Sequence, residues 1–389
     1  MLIIHHIKRV VLREIDTIAT QPIYLFCMVV APIACFILFS TLMYQGLPEK
    51  LPVAVVDADN TPTTREIIRN LDAMQQIGIV ARYVTAEEAF EDMKRGNIYA
   101  IYYIPEGTTK SLIEELRPTI SYYLNYSYLV AGSLTYRDMY IRTLLTNAAI
   151  GTSAIIAHGG TKHQAQVFVQ PIVIETHAIG NPWLSYSIYL NNTIFPGVLS
   201  LFIFLLTAYS VTLEIKTGRA KELLHTSGNN IIVAVIGKLI PQSIFFSLTA
   251  IFYNLYLYKY LHFPIHDGIG SMILVSILLV IASQSLGLFL AALLPSPRWA
   301  MSIASLWGVV SFSISGFSFP IEGMSGSIQA ASNLFPLRHY FTIYCNQALL
   351  GEPIGYAATH YAALLLFCLL PLPLMGRLKK ALENYPYIK

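Results

Sequence analysis

Asn192 to Leu213 reads NTIFPGVLSLFIFLLTAYSVTL, a run of 22 residues with no acid, base or histidine, closed by Glu214. A bilayer core takes about 20 mainly apolar helical residues, because a helix pairs its own backbone groups where lipid offers none. The run is therefore a membrane-spanning helix, and five further stretches share its character: Pro22 to Tyr44, Ile231 to Tyr258, Ile269 to Leu294, Trp299 to Ile321 and Tyr356 to Gly376. Only Lys238 places a firm charge inside them, at a depth from which its stem can snorkel to the nearer surface.

The composition agrees. Of 389 residues, 55% are hydrophobic and 12% charged, against roughly 25% charged in soluble domains, which argues against an ordinary cytosolic enzyme. Residues 45 to 193 nevertheless hold 25 of the 47 charged side chains. The expected fold is an α-helical polytopic membrane protein of six transmembrane helices, with a mixed α/β domain over 45–191 inserted between helices 1 and 2. The net charge of +3 gives no nucleic-acid footprint. Cys27, Cys35, Cys345 and Cys368 lie in or beside apolar stretches and form no disulfide or zinc pattern. The first stretch is too long for a signal-peptide core and lacks a small-residue cleavage site, so it reads as a retained anchor.

Basic residues set the orientation. Lys8, Arg9 and Arg13 precede the first span, Lys216, Arg219 and Lys221 follow the second, and Arg377, Lys379, Lys380 and Lys389 follow the last. The opposite short connections carry Lys259 and Arg338. The positive-inside rule then puts both termini in the cytoplasm and the large loop outside.

Within that loop, Leu51 to Asp57 reads as a strand and Thr63 to Met74 as a helix. Strands over Ile79 to Thr85, Ile98 to Ile104, Thr119 to Tyr126 and Ile172 to Thr176 alternate with helices over Ala86 to Arg95, Glu106 to Leu116 and Leu129 to Ala157. Asp57 and Asp59 resemble paired carboxylates, and Glu87, Glu88, Glu91 and Asp92 a cation cluster, but turn-forming and helix-capping roles account for both sets better. The tyrosines Tyr122, Tyr123, Tyr126, Tyr128, Tyr136 and Tyr140 suit sheet packing more than a binding surface. Neither HExxH, GxSxG nor a Ser/His/Asp order occurs. Ahead of the first span, Ile3, Ile4, Ile7, Val10, Val11, Ile15 and Ile18 lie at helical spacing, which fits an interfacial amphipathic helix as well as a topogenic basic tail.

After the second span comes Glu214-Ile-Lys-Thr-Gly-Arg-Ala-Lys-Glu222-Leu-Leu-His-Thr-Ser-Gly228, then Gly237-Lys238-Leu-Ile-Pro241. Further on stand Ser315-Gly-Phe-Ser-Phe-Pro320-Ile-Glu-Gly-Met324, Asn333-Leu-Phe-Pro336-Leu-Arg-His-Tyr340 and Gln347-Ala-Leu-Leu-Gly351. Together these resemble the ABC-2 type permeases, membrane subunits of ATP-binding cassette exporters, in the branch with a large outer domain between spans 1 and 2. Gly218-Arg219 stands where Gly-Thr is usual. The resemblance implies an organisation of 1–44 as interfacial helix and first span, 45–191 as extracytoplasmic domain, and 192–389 as five spans. The last part would carry a cytoplasmic coupling helix at about 214–230 and an outer re-entrant hairpin at about 320–351.

The resemblance also implies roles. Glu214, Gly218, Glu222, Leu223 and Leu224 would couple to the ATPase, with the two leucines as apolar contacts and Glu214 paired to Arg13 or Lys216. Gly316, Pro320, Phe335 and Pro336 would shape the hairpin. His360, by its place at the outer end of the last span, reads as interfacial and not as a proton relay. The implied partners are a cytoplasmic ABC ATPase, a second permease as homodimer or sister heterodimer, a periplasmic adaptor with an outer-membrane channel, and membrane lipid. Catalytic, metal and cofactor-binding residues are not expected: the sequence has no GxxxxGK[ST], so ATP and Mg²⁺ would be held by the ATPase. The expected substrate is hydrophobic or amphipathic and the location a bacterial inner membrane. A membrane-anchored sensor or scaffold and a secondary transporter are the alternatives.

Overall fold

The computed structural model describes residues 2–44, 46–114, 116–170, 175, 177–266 and 268–384. They form two compact units, Leu47–His177 and the remainder. The expected strand over Ile172 to Thr176 falls outside the described residues apart from Glu175, as does Lys389.

The inserted unit is a four-stranded sheet flanked by helices. Its elements are β1 (Leu51–Asp57), α3 (Pro62–Asp72), β2 (Ile77–Tyr83), α4 (Ala86–Lys94), β3 (Ala100–Ile104), α5 (Thr108–Ile113), β4 (Ser121–Leu124), α6 (Leu129–Ala157) and α7 (Lys162–Val169). The order is β2-β1-β3-β4, with β1 parallel to β2 and β3, and β4 antiparallel to β3. Strand β1 is buried on both faces, which explains its unbroken apolar run. Val53 and Val55 pack with Ile67, Ile68 and Leu71 of α3 and Met139 of α6. Ala54 and Val56 pack with Ala89 of α4.

The acids of this unit serve local structure. Asp57 accepts from Asn60 N (3.0 Å) and Thr64 Oγ1 (2.8 Å). Thr61 caps α3 in a reciprocal box with Thr64. Burial works against the Asp59 charge, but hydrogen bonds from Thr109 N (3.0 Å) and from the Thr109 and Thr61 hydroxyls hold its pKa below the ordinary value. Asp92 accepts from Tyr83 Oη (2.6 Å) and Asn97 Nδ2 (2.7 Å), and Glu91 pairs with Lys94. The tyrosines divide: Tyr122 stacks on Tyr102 and both reach Thr143, whereas Tyr136 and Tyr140 stack on each other and stay exposed. Helix α7 was not expected, although Thr161 and Gln164 spell its capping box.

In the other unit, α1 (Leu2–Thr20) leads into α2 (Pro22–Leu42). After the insert come α8 (Tyr186–Lys216), α9 (Ala220–Thr226), α10 (Ile231–Tyr260), α11 (Ile269–Leu293), α12 (Pro297–Ile314), α13 (Gly326–Ser332), α14 (Pro336–Ile343), α15 (Ala358–Leu369) and α16 (Met375–Asn384). Among the described residues, five stretches are long and apolar enough to cross a membrane: α2, α8, α10, α11 and Ile354–Asn384. Within the expected span Trp299 to Ile321 the helix is α12, whose 18 residues cover about 27 Å. Arg298 and four serines dilute its hydropathy. Gly316, at φ 103°, lies just beyond its end.

Helix α8 is the central post, with buried residues along most of its length. Phe195, Leu199, Ile203 and Leu206 of α8 share one core with Phe246 and Tyr253 of α10, and with Met272 and Leu279 of α11. Glycines permit the closest approaches: a Cβ on Gly197 would lie 2.5 Å from the Phe312 ring, and one on Gly308 would overlap Leu201. The start of α8 is polar yet buried. Tyr253 Oη donates to Asn191 O (2.9 Å), Tyr258 Oη to Asn192 Oδ1 (2.8 Å) and Tyr344 Oη to Ile188 O (2.7 Å). Beside it the chain closes on itself, Tyr186 N–H donating to Gly46 O at 2.8 Å.

In a polypeptide of residues 47–177, Thr61→Ala is expected to lower unfolding stability by about 1 kcal/mol, read by urea titration. The same titration on Asp59→Asn should also show a loss, and the difference between wild type and that variant should shrink in acid. A carboxyl with a depressed folded-state pKa stabilises above its unfolded-state pKa and loses that contribution as pH falls through the folded one.

Candidate coupling site

Where α1, α8, α9 and α10 meet, four ionised side chains leave water together. Lys238 of α10 is 2% exposed; its Nζ lies 2.5 Å from Glu14 Oε2 of α1 and 2.9 Å from Glu214 Oε1 of α8. Arg13 of α1 grips Glu214 with both Nη atoms, at 2.9 and 2.8 Å. Gln242 Nε2 donates to Glu14 Oε1 at 3.0 Å. Two cations and two carboxylates make the buried set neutral, as burial of charge demands.

The set reaches α9 through its exposed edge. Arg13 Nε is 3.3 Å from Glu222 Oε1, and Arg219 Nε is 3.4 Å from Glu222 Oε2. The Arg13 hydrogen bond holds the Glu222 carboxyl below its ordinary pKa. Burial opposes the charge on Arg13, but Glu214 and Glu222 together raise its pKa. His6 Nδ1 meets Thr226 O at 3.0 Å, and a Cβ on Gly237 would lie 2.7 Å from Val10, so α1 packs directly on both α9 and α10.

Several sequence expectations need correction here. Lys238 does not snorkel: Glu14 supplies a counter-charge at its own depth, so the ammonium stays buried between helices. Glu214 does pair with Arg13, one of its two expected partners, and its second partner is Lys238 and not the exposed Lys216. Leu223 and Leu224 do not face outward. Leu223 packs with Val10 and Ala234, and Leu224 with Leu378 and Leu382 of α16. The outward face of α9 is Lys221, Glu222 and His225. Gly218 stands where expected, at φ 72° with open space around it, in the left-handed turn that ends α8.

Glu14 was missed by the sequence reading. Its signal was positional: Val10, Glu14 and Thr17 stand at i, i+4 and i+7 and are the buried stripe of α1, whereas Ile3, Ile4 and Ile15 are exposed.

The expected hairpin residues lie elsewhere in the same unit. Phe335 stacks on Trp307 at 5.0 Å, and Pro336 opens α14. Gly316 lies against Ile321, whereas Pro320 is exposed ahead of a short 3₁₀ turn. His360 is half-buried, its Nδ1 3.0 Å from His339 Nδ1, and His339 Nε2 donates to Asn333 O. A cleft of about 440 Å³ is lined by this pair, by Asn333 and Leu334, and by Ala363 and Phe367 of α15. Among the described residues, no group of three or more His, Cys, Asp or Glu is placed to hold a metal ion.

Lys238→Met is expected to destabilise the unit by about 3–5 kcal/mol, because it strands a buried carboxylate, and Lys238→Met with Glu14→Leu should recover part of that loss. Thermal unfolding of the detergent-solubilised variants measures both. Leu223→Asp should likewise lower the melting temperature, since its side chain sits against Val10.

Two comparisons bear on this arrangement. Residues 22–376 match the family model described as ABC-2 family transporter protein. A 91-residue stretch is 34% identical to Nodulation protein J of Neorhizobium galegae, covering 23% of this chain and 34% of that protein. The chain thus spans about a third of the length of that relative.

Proposed function

Because the chain belongs to the ABC-2 family of transporter proteins, as a multi-pass membrane component and not itself a catalyst, we propose that it is the permease subunit of an ATP-driven exporter. The family implies association with an ABC ATPase. In this reading the ATPase docks on the outward face of α9, holds ATP and Mg²⁺, and drives alternating access for a hydrophobic or amphipathic substrate.

The observation that carries the reading is the charged seam. Helix α9 has only seven residues. It is fastened to α1 through Arg13 and Glu222, and Arg13 is fastened in turn to Glu214 at the end of α8. A push on α9 therefore reaches the central post through ion pairs and packed leucines, a two-state biasing of helices.

In this reading this end faces the cytoplasm of a bacterial inner membrane, with both termini inside and the α/β unit outside, an orientation that its basic residues support. A sixth span over α12, a second copy or sister permease, a periplasmic adaptor and an outer-membrane channel complete the assembly in this reading.

Affinity purification of the tagged chain from native membranes is expected to bring down a stoichiometric ATPase. Lys221→Glu with His225→Ala should cut hydrolysis by that complex several-fold while leaving the melting temperature of the permease unchanged, because both side chains are exposed. Transport that persists with no ATPase bound would instead support a secondary transporter using the buried ion pairs, and an ATPase indifferent to the α9 variant would remove the docking assignment.

A further inference from the structure

We propose that the exposed face of α1 binds anionic phospholipid headgroups and passes that contact on to α9; the second half rests on the reading of α9 as the ATPase-docking helix. At 100° per residue, Ile4, Ile15, Lys8 and Leu12 fall within one sector of about 80°, roughly opposite the buried stripe of Val10, Glu14 and Thr17. Ile4, Leu12 and Ile15 are 73%, 56% and 49% exposed. A free helix face of this kind needs an apolar cover, and the chain indicates which one. Helix α1 runs into α2 with only Gln21 between them, and Gln21 N–H still donates to Thr17 O. The exposed Leu25, Phe26 and Val30 of α2 belong to a span, so the acyl region begins where α1 ends.

Charge selects the headgroup. Lys8 stands in the middle of the apolar sector, the placement in which a lysine stem lies along acyl chains and its ammonium reaches the phosphates. Arg9 stands on the polar margin. Both are exposed, and neither forms an ion pair among the described residues. The acids of α1 are Glu14, consumed by Lys238, and Asp16 at the far edge of the exposed face. Two unpaired cations on an interfacial helix favour an anionic over a zwitterionic surface.

The next turn of the same helix carries Arg13 and Glu14. Lifting α1 from the bilayer would strain their bonds to Glu214, Glu222 and Lys238. The surface charge of the membrane thereby acts on the position of α9.

The test uses the full chain in detergent, titrated with phosphatidylglycerol and phosphatidylcholine of equal acyl length, and counts retained lipid by native mass spectrometry. Phosphatidylglycerol is expected to be retained several-fold over phosphatidylcholine. Lys8→Gln with Arg9→Gln should bring that ratio close to one, because the basic residues supply the attraction to an anionic surface, while Lys8→Arg with Arg9→Lys keeps it. Equal retention of the two lipids, or an unchanged ratio in the glutamine variant at an unchanged melting temperature, overturns the lipid site. In nanodiscs, the complex with its ATPase should hydrolyse ATP faster as phosphatidylglycerol replaces phosphatidylcholine, and the glutamine variant should lose the increase but keep the basal rate. Equal rates in both lipids overturn the transmission to α9. A preparation without any ATPase would count against the exporter reading, and the lipid ratio is read independently of it.

Discussion

Charge neutrality inside a medium of low dielectric is the constraint on which the membrane unit turns. An ion moved out of water costs several kcal/mol even after relaxation, and only a close, hydrogen-bonded partner of opposite sign offsets it. Glu14, Lys238, Glu214 and Arg13 meet that requirement jointly and not in separate pairs, because Glu214 Oε1 accepts from both cations. The set therefore forms only when α1, α8 and α10 are all in place. It fixes the register of three helices that apolar contacts alone would leave free to slide. Gly237 reinforces it by letting Val10 sit against the backbone of α10.

The legible parts of the fold were those that depend on neighbours in the chain. Strand β1 announced itself by being apolar from Leu51 to Val56, and Asp57 at its end by hydrogen bonds that reach no further along the chain than Asn60 and Thr64. The spans were legible wherever lipid or core surrounds a helix on all sides. Helix α8 begins at Tyr186, before the expected Asn192, because Ser185 caps it by accepting from Ile188 N and because tyrosine hydroxyls satisfy its buried asparagines. Polar residues in that turn hide a helix from hydropathy, although they are as buried as the leucines after them.

The candidate site was legible in some of its members and not in its directions. Glu214, Gly218 and Glu222 stand where the motif put them. Lys238 and Glu14 are 224 positions apart, so no local rule connects an acid in an amphipathic helix to a base in a distant span. Leu223 and Leu224 show the converse difficulty. A seven-residue helix offers its apolar pair to whichever surface is nearer, and α1 and α16 claim it before any partner can. What remains outward on α9 is polar, which suits a contact that must form and release.

The hydrogen bond between Gly46 and Tyr186 has an evolutionary consequence. The chain leaves the membrane unit and rejoins it at one point, and a Cβ on Gly46 would sit only 2.9 Å from Ser185 Oγ, so the two backbones are held side by side. An insert whose ends are already joined adds no strain to its host. Recombination can lengthen, prune or exchange everything between them without moving α2 against α8, leaving the charged seam at α1, α8, α9 and α10 intact while the inserted unit diversifies.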